Sequence, residues 1–318
     1  MALFLTENDV KQVLTATMAL EAVESAHRDL ALGQAQDTPR ARTRLPQTVL
    51  HILQGALPAQ GVIGYKAYTT NRSGNRFLVH MFDAASGLLL AIIEADYMGM
   101  IRTGAASGIA ARCLARPDAR VAGVFGAGWQ AEGHVRAICA ALPLERIKVF
   151  SRNREKLLVF CQRMSETTGV AVVPAASAEE TVRGSDLVGT VTTATQPLFD
   201  AEWLAPGTHI NAAGSNALIR QELSEATLRR CALIAVDAVP TALAEAGDLL
   251  PLLEKGRLHA RQLVELGDIL TGRHAGRTSA EQITVFESQG MAIQDLAVAL
   301  RVVAAARARG LGVELPLQ

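Results

Sequence analysis

Residues 121–135, VAGVFGAGWQAEGHV, run a β-prone stretch straight into Gly126-Ala127-Gly128-Trp129-Gln130-Ala131 and on into a helix-forming stretch. Each small residue there has a separate use. Gly126 permits the tight turn, Gly128 leaves no side chain to block a ligand, and Ala131 lets helix and strand pack closely. The first N–H groups of the helix lack intrahelical acceptors and carry the positive end of its dipole, so the turn suits a pyrophosphate. A GxGxxA motif alone can be purely structural; between a strand and a helix of a βαβ unit it reads as a dinucleotide site.

The surrounding pattern supplies that unit. Strands are expected at 120–125, 146–150, 170–173 and 187–191, alternating with helices at 130–141, 154–168 and near Glu179, which implies a parallel sheet with right-handed crossovers. Strands at 208–212 and 233–236 would extend it to about six. Upstream, 6–33 reads as two short helices with a cap in TEND. Residues 40–95 read as an antiparallel meander with turns at Ser73-Gly74-Asn75 and Ala85-Ser86-Gly87, and 96–114 as a helix. The polar, proline-containing LARPDAR stretch marks a domain boundary, and a long helix from Ala292 to Gly310 returns to the first domain. The fold class is therefore α/β: a Rossmann-type doubly wound parallel sheet domain over 116–292, plus an α+β domain from 1–115 with 293–318.

Composition narrows the partners. With 31 Lys+Arg against 31 Asp+Glu the chain has no basic surplus for a nucleic-acid backbone, and 49% apolar residues fit a large core. Cys113, Cys139, Cys161 and Cys231 form no CxxC pair and no His/Cys/carboxylate cluster has metal-ligand spacing, so neither a disulfide framework nor a metal site is expected. The longest apolar run, Leu88 to Ile93, is far short of the ~20 residues of a membrane helix, and no export signal is apparent. The expectation is a cytoplasmic protein without membrane or nucleic-acid partners.

Local charge marks two candidate sites. After the second strand of the βαβ unit, where a carboxylate would accept from a ribose 2′-hydroxyl, the chain reads Ser151-Arg152-Asn153-Arg154. A hydroxyl and two guanidiniums suit a 2′-phosphate, favouring NADP(H) over NAD(H). Thr192 and Thr193 follow a further strand at the same edge. On the substrate side Arg40, Arg42 and Arg44 alternate along one strand and share a face, Lys66 lies in GYKAY, and Arg102 opens a small-residue helix. Surface charge is the ordinary alternative for each.

Taken together, GYKAYTT, IEADYMGMIRTGAASGIAARCLARPDA, VFGAGWQAEGHV, HINAAGSN, EAGDLL and ITVFESQGMAIQDLA resemble the ornithine cyclodeaminase and mu-crystallin family over almost the full length. The resemblance implies a homodimer with a substrate-binding and dimerisation domain, and hydride exchange between a nicotinamide and the α-carbon of an imino or amino acid. By position, Arg40, Lys66 and Arg102 match the family residues that hold the substrate carboxylate, with Arg42 as the alternative to Arg40. Ser288, Gly290 and Asp295 resemble the family segment near the nicotinamide and the helix start. Asp295 reads as a helix cap or an ion-pair partner, His80 as strand packing, and Glu245 and Asp248 as organisers of a loop by the cofactor. One departure matters. Cyclodeaminases end the strand reading INAVGGD in an aspartate, whereas this chain has Asn216, whose amide cannot take a proton at neutral pH. The expectation is an imine or ketimine reductase, or amino acid dehydrogenase, with Lys66 sharing a proton and Asn216 orienting the nitrogen. A cyclodeaminase with catalytic NAD and a non-enzymatic NADPH-binding protein are the alternatives.

Overall fold

The computed structural model describes residues 1–71 and 74–317, which divide into two compact units, Met1–Arg102 with Gly290–Gln318, and Thr103–Gln289. In chain order the first unit holds β1 (Ala2–Leu5), α1 (Glu7–Val13), α2 (Ala16–Ala31), β2 (Gln36–Arg44), β3 (Val49–Leu57), β4 (Val62–Asn71), β5 (Gly74–Asp83), β6 (Leu89–Glu94) and the start of α3 (Asp96–Leu114). The second holds the rest of α3, then β7 (Val121–Phe125), α4 (Trp129–Ala141), β8 (Arg146–Phe150), α5 (Arg154–Thr168), β9 (Ala171–Pro174), α6 (Ala178–Val182), β10 (Leu187–Thr190), β11 (His209–Ala212), α7 (Glu225–Arg230) and β12 (Cys231–Val236). It continues with α8 (Val239–Glu245), α9 (Leu250–Glu254), β13 (Leu263–Glu265), α10 (Leu266–Leu270) and β14 (Ile283–Glu287). α11 (Ala292–Ala308) and β15 (Val313–Leu315) return to the first unit.

The units divide at Arg102/Thr103 and Gln289/Gly290, not at 115/116 and 292/293. LARPDAR does end α3, but the helix itself belongs partly to each unit, and a polar break marks where a helix stops rather than where a core does. The turn expected at Ser73-Gly74-Asn75 includes Ser73, which lies outside the described residues.

In the first unit seven strands pair in the order β15-β1-β6-β5-β4-β3-β2. Beyond the expected meander, β1 adds in parallel to β6 and β15 closes the edge. Both are too short for periodicity to reveal. The Thr6 cap of α1 forms as expected: its hydroxyl accepts from Asp9 N while Asp9 accepts from Thr6 N. Glu7 in turn accepts the first N–H groups of α3, at Asp96 and Tyr97. α11 packs on one face of the meander, where Gly55 and Gly64 leave room for Ile293 and Leu296.

The second unit is an eight-stranded sheet, every pair parallel, in the order β13-β12-β14-β11-β10-β7-β8-β9. The expected six strands are present, and β13 and β14 complete the sheet. β14 sits centrally between β11 and β12, which short sequence periodicity does not disclose because a strand buried on both faces has no alternation. Val124 and Phe125 accordingly enter different apolar clusters, one with Val135, Ile138 and Phe160, the other with Val188, Ile210 and Val285. The strand order reverses between β7 and β10, and ligands of open α/β sheets collect at the carboxyl ends beside such a switch point.

α3 approaches α4 so closely that a Cβ on Gly104 would lie 2.1 Å from the carbonyl oxygen of Gly133. Backbone cannot yield cheaply there, so Gly104→Ala is expected to cost about 1–3 kcal/mol. Calorimetry should show a lower Tm, and an unchanged Tm would contradict this packing.

Candidate active site

In the first unit, paired residues across the meander form the row Leu53, Lys66, Val79, Ile93. Three are apolar and all four are buried, with Lys66 only 3% exposed. An isolated ammonium would be intolerable there. Asp295, in the first turn of α11, supplies the counter-charge: Lys66 Nζ lies 2.7 Å from its Oδ2, and Arg102 Nε donates to its Oδ1 at 2.9 Å. Arg102 also donates through Nη1 to Gln294 Oε1 at 2.8 Å. Gly290, at φ +79°, leaves room for this guanidinium, since a Cβ there would fall 2.5 Å from Arg102 Nη1. That contact is what the structure gives Gly290, which the sequence placed by the nicotinamide.

Burial and the charge of Arg102 push the Lys66 ammonium down to about 7 against the upward pull of Asp295, and Arg40 adds to the depression. Arg40, Arg42 and Arg44 surround His51, whose pKa burial and these three charges lower to about 4. The expected shared face therefore exists. Of the two candidates, Arg40 is the one whose field reaches Lys66. His80 stacks on Tyr65, ring centroids 4.7 Å apart, as strand packing.

In the second unit the glycine turn forms at the switch point. Gly126 has φ +114°, and a Cβ on it would fall 2.7 Å from Val191 O, so glycine is required. A Cβ on Gly128 would meet nothing within 4 Å, which leaves open space over the N-terminus of α4. Gly128 is its N-cap and gives no side-chain cap. Trp129 is exposed, Ala131 is buried, and Gln130 Oε1 is a buried acceptor without a partner. These features fit a dinucleotide pyrophosphate. At the end of β8, Ser151 is half-buried and Arg152 and Arg154 are exposed, while Asn153 caps α5 by accepting from Lys156 N at 2.9 Å.

Other expected contacts turn inward. Thr192 gives its N–H and hydroxyl to Glu222 Oε1, both at 2.6 Å, and Ser288 donates to Asp237 Oδ2 at 3.0 Å, so both hydroxyls tether loops. Thr193 stays exposed. Arg220 donates to Asn216 Oδ1 at 3.0 Å. Because guanidinium only donates, the Asn216 amide must present its NH₂ away from Arg220. The NH₂ end is thereby left to donate, and the oxygen keeps a second lone pair.

Sequence reasoning missed two of the three acids behind these loops, Glu222 and Glu287. Glu222 also accepts from Gly214 N at 2.8 Å, and Asp248 accepts from the N–H groups of Glu222 and Leu223 at 2.6 and 2.9 Å. Glu287 accepts from Ser215 at 3.2 Å. All three are buried, and burial raises each pKa, that of Glu222 to about 7 and that of Glu287 well above 4.5, with the charge of Asp248 adding to the rise at Glu287. Thus they join the ends of β10, β11 and β14 to the loop of Asp248, which bears out the loop-organising role expected of Asp248. The signal in the sequence was the place of Asp248 in EAGDLL and of Glu287 in VFESQG; Glu222 had none.

The folded chain keeps protons on these carboxyls that the unfolded chain releases above about pH 4.5. Their contribution to stability is therefore present at low pH and lost as pH climbs through the folded values. Glu287→Gln keeps the acceptor for Ser215 and removes the titrating proton. Its Tm should fall less than the wild-type Tm as pH rises above the ordinary carboxylate range, and equal slopes would refute the raised titration of Glu287.

Comparison with known proteins follows this geometry. The model of the ornithine cyclodeaminase/mu-crystallin family matches residues 1–310. The Delta(1)-pyrroline-2-carboxylate reductase of Bacillus cereus is 38% identical over 236 residues, 74% of this chain and 72% of that protein. The structure of Thermococcus litoralis Delta(1)-pyrroline-2-carboxylate reductase in complex with NADH and L-proline has a TM-score of 0.94 at 28% identity, covering 98% of this chain and 100% of that one. An archaeal alanine dehydrogenase dimer with bound NAD has a TM-score of 0.93 at 31% identity, covering 99% and 98%. The chain belongs to the ornithine cyclodeaminase/mu-crystallin family.

Proposed function

We propose that this chain is an NAD(P)H-dependent imino acid reductase, working in reverse as an amino acid dehydrogenase. The observation that carries this reading is the buried cationic site of Lys66 and Arg102, with Arg40 near, held on the single carboxylate of Asp295. Its surplus positive charge calls for an anion, and a guanidinium beside an ammonium suits a carboxylate. The relatives named above act on, or are bound to, molecules of that kind.

Lys66, Arg102 and Arg40 bind and orient the carboxylate of the imino acid. The dinucleotide, held by the turn of Gly126 and Gly128 and the uncapped N–H groups of α4, supplies the hydride for the α-carbon. Lys66, titrating near 7, holds a proton it can share with the substrate nitrogen at neutral pH. Asn216 donates to the ligand and accepts no proton, which favours reduction over cyclodeamination. At the 2′ position Ser151, Arg152 and Arg154 favour NADP(H), with NAD(H) as the alternative. A homodimer is supported by the dimeric relative and by the meander face opposite α11, where Leu50 and Ile63 are 38% and 47% exposed.

Purified protein with NADPH should reduce Delta(1)-pyrroline-2-carboxylate, and failure on that compound and on a panel of other cyclic imino acids and 2-oxo acids with ammonia would refute the reading. Lys66→Ala is expected to lower kcat/KM about 100-fold or more while NADPH still binds, and an unaltered rate would remove Lys66 from the site. Arg152→Ala should weaken NADPH about tenfold and leave NADH unaffected, and equal effects on both would sink the 2′-phosphate assignment.

A further inference from the structure

The substrate carboxylate explains Lys66 and Arg102 but not why a carboxylate of the chain already binds both. Asp295 places one oxygen on each cation, and it does so from the first turn of α11, between two other fixed side chains. Its neighbour Gln294 accepts from Arg102 and from the N–H of Met291 at 3.2 Å, so its amide oxygen is fully committed. The amide nitrogen must then face His27, 3.0 Å away and completely buried. An amide N–H donates, so His27 Nε2 accepts and the ring carries its proton on Nδ1. The result is one continuous chain from His27 in α2 through Gln294, Arg102 and Asp295 to Lys66 in β4, in which Arg102 donates to both sides and Asp295 accepts from both cations.

We propose that Asp295 is a positioning residue of the reductase, aiming Lys66 and Arg102 at the ligand carboxylate and keeping the Lys66 ammonium charged, with Gln294 and His27 holding Arg102 in the same pose. This rests on the reductase reading for its substrate, but its geometry belongs to the chain. The groups facing Lys66 leave Asp295 as its anionic partner: Arg40 approaches from β2 and Arg102 from α3, and both oppose its charge. His51 on β3 is kept neutral at ordinary pH by burial and its arginines, and His80 on β5 is turned to the opposite face of the sheet. Asp37 at the start of β2 accepts from Ile293 N at 3.2 Å.

The sign of the expected pH effect follows. The protonated fraction of Lys66 falls as pH rises through about 7, so carboxylate binding weakens on that limb. Asp295→Asn removes the pull that holds the proton, and the limb moves to lower pH. A purely structural aspartate would change Tm and yield but leave the limb in place.

The test measures L-proline binding to NADPH-loaded protein by calorimetry, and kcat and KM for Delta(1)-pyrroline-2-carboxylate, across pH. Asp295→Asn is expected to weaken both L-proline binding and KM about 10- to 100-fold. Its basic limb should move down by about one pH unit, and its NADPH affinity should stay within about twofold. Lys66→Arg, which keeps its charge at all working pH, should lose the limb, and adding Asp295→Asn to it should move no limb. Wild-type affinity and an unmoved limb in Asp295→Asn would overturn the proposal, as would failure of the wild type to bind L-proline at all. If wild type binds L-proline but does not turn over the imino acid, the reductase reading fails while the binding series still decides the role of Asp295. Should Asp295→Asn not fold, Gln294→Leu is read instead, with weaker L-proline binding and intact NADPH binding expected. Unchanged L-proline affinity there overturns the proposal.

Discussion

The ion pairs of Asp295 are the constraint on which the first unit depends. A lysine in a row otherwise made of Leu53, Val79 and Ile93 is tolerable only with a partner at contact distance, and that partner arrives from the far end of the chain. Breaking such a buried pair by removing one member leaves an uncompensated charge, a loss of about 3–5 kcal/mol. The return of α11 to the meander is therefore an electrostatic requirement as well as a hydrophobic one. Gly55 and Gly64 permit the approach, and Asp295 gives it a register.

The second unit solves a different problem with the same residue type. At the carboxyl ends of its parallel strands, Glu222, Asp248 and Glu287 hold backbone N–H groups and hydroxyls, with no ion pair to a cation among the described residues. Raised pKa values follow from burial and from mutual repulsion. One carboxylate in the first unit offsets surplus positive charge and stays an ion-pair acceptor, while three in the second have raised pKa values and act as clamps. Environment, not identity, divides these roles.

Much of this was legible along the chain. The helix over 154–168 and the strand over 146–150 form where periodicity places them, and the meander turns at Ala85-Ser86-Gly87 as expected. Hidden elements share a cause: β1 and β15 are too short to show a period, and β14 is buried on both faces and shows none. In the site, Lys66, Arg102 and Asp295 were each visible as charges in unusual company. Their pairing was not, because 229 residues separate Lys66 from Asp295 (295 − 66) and no local pattern records such a contact.

The sequence by itself determined the parallel sheet, the glycine turn and the absence of a carboxylate after the second strand of that unit, since each depends on neighbours a few residues apart. It also set the difference at Asn216 that separates this chain from a proton-accepting site. Tertiary structure alone decided that Thr192 and Ser288 turn inward to acids, that Arg220 donates to the amide oxygen of Asn216, and that burial and Arg102 push Lys66 down to about 7. Those outcomes depend on burial and on charges brought together by packing, and neither quantity exists until the chain has folded.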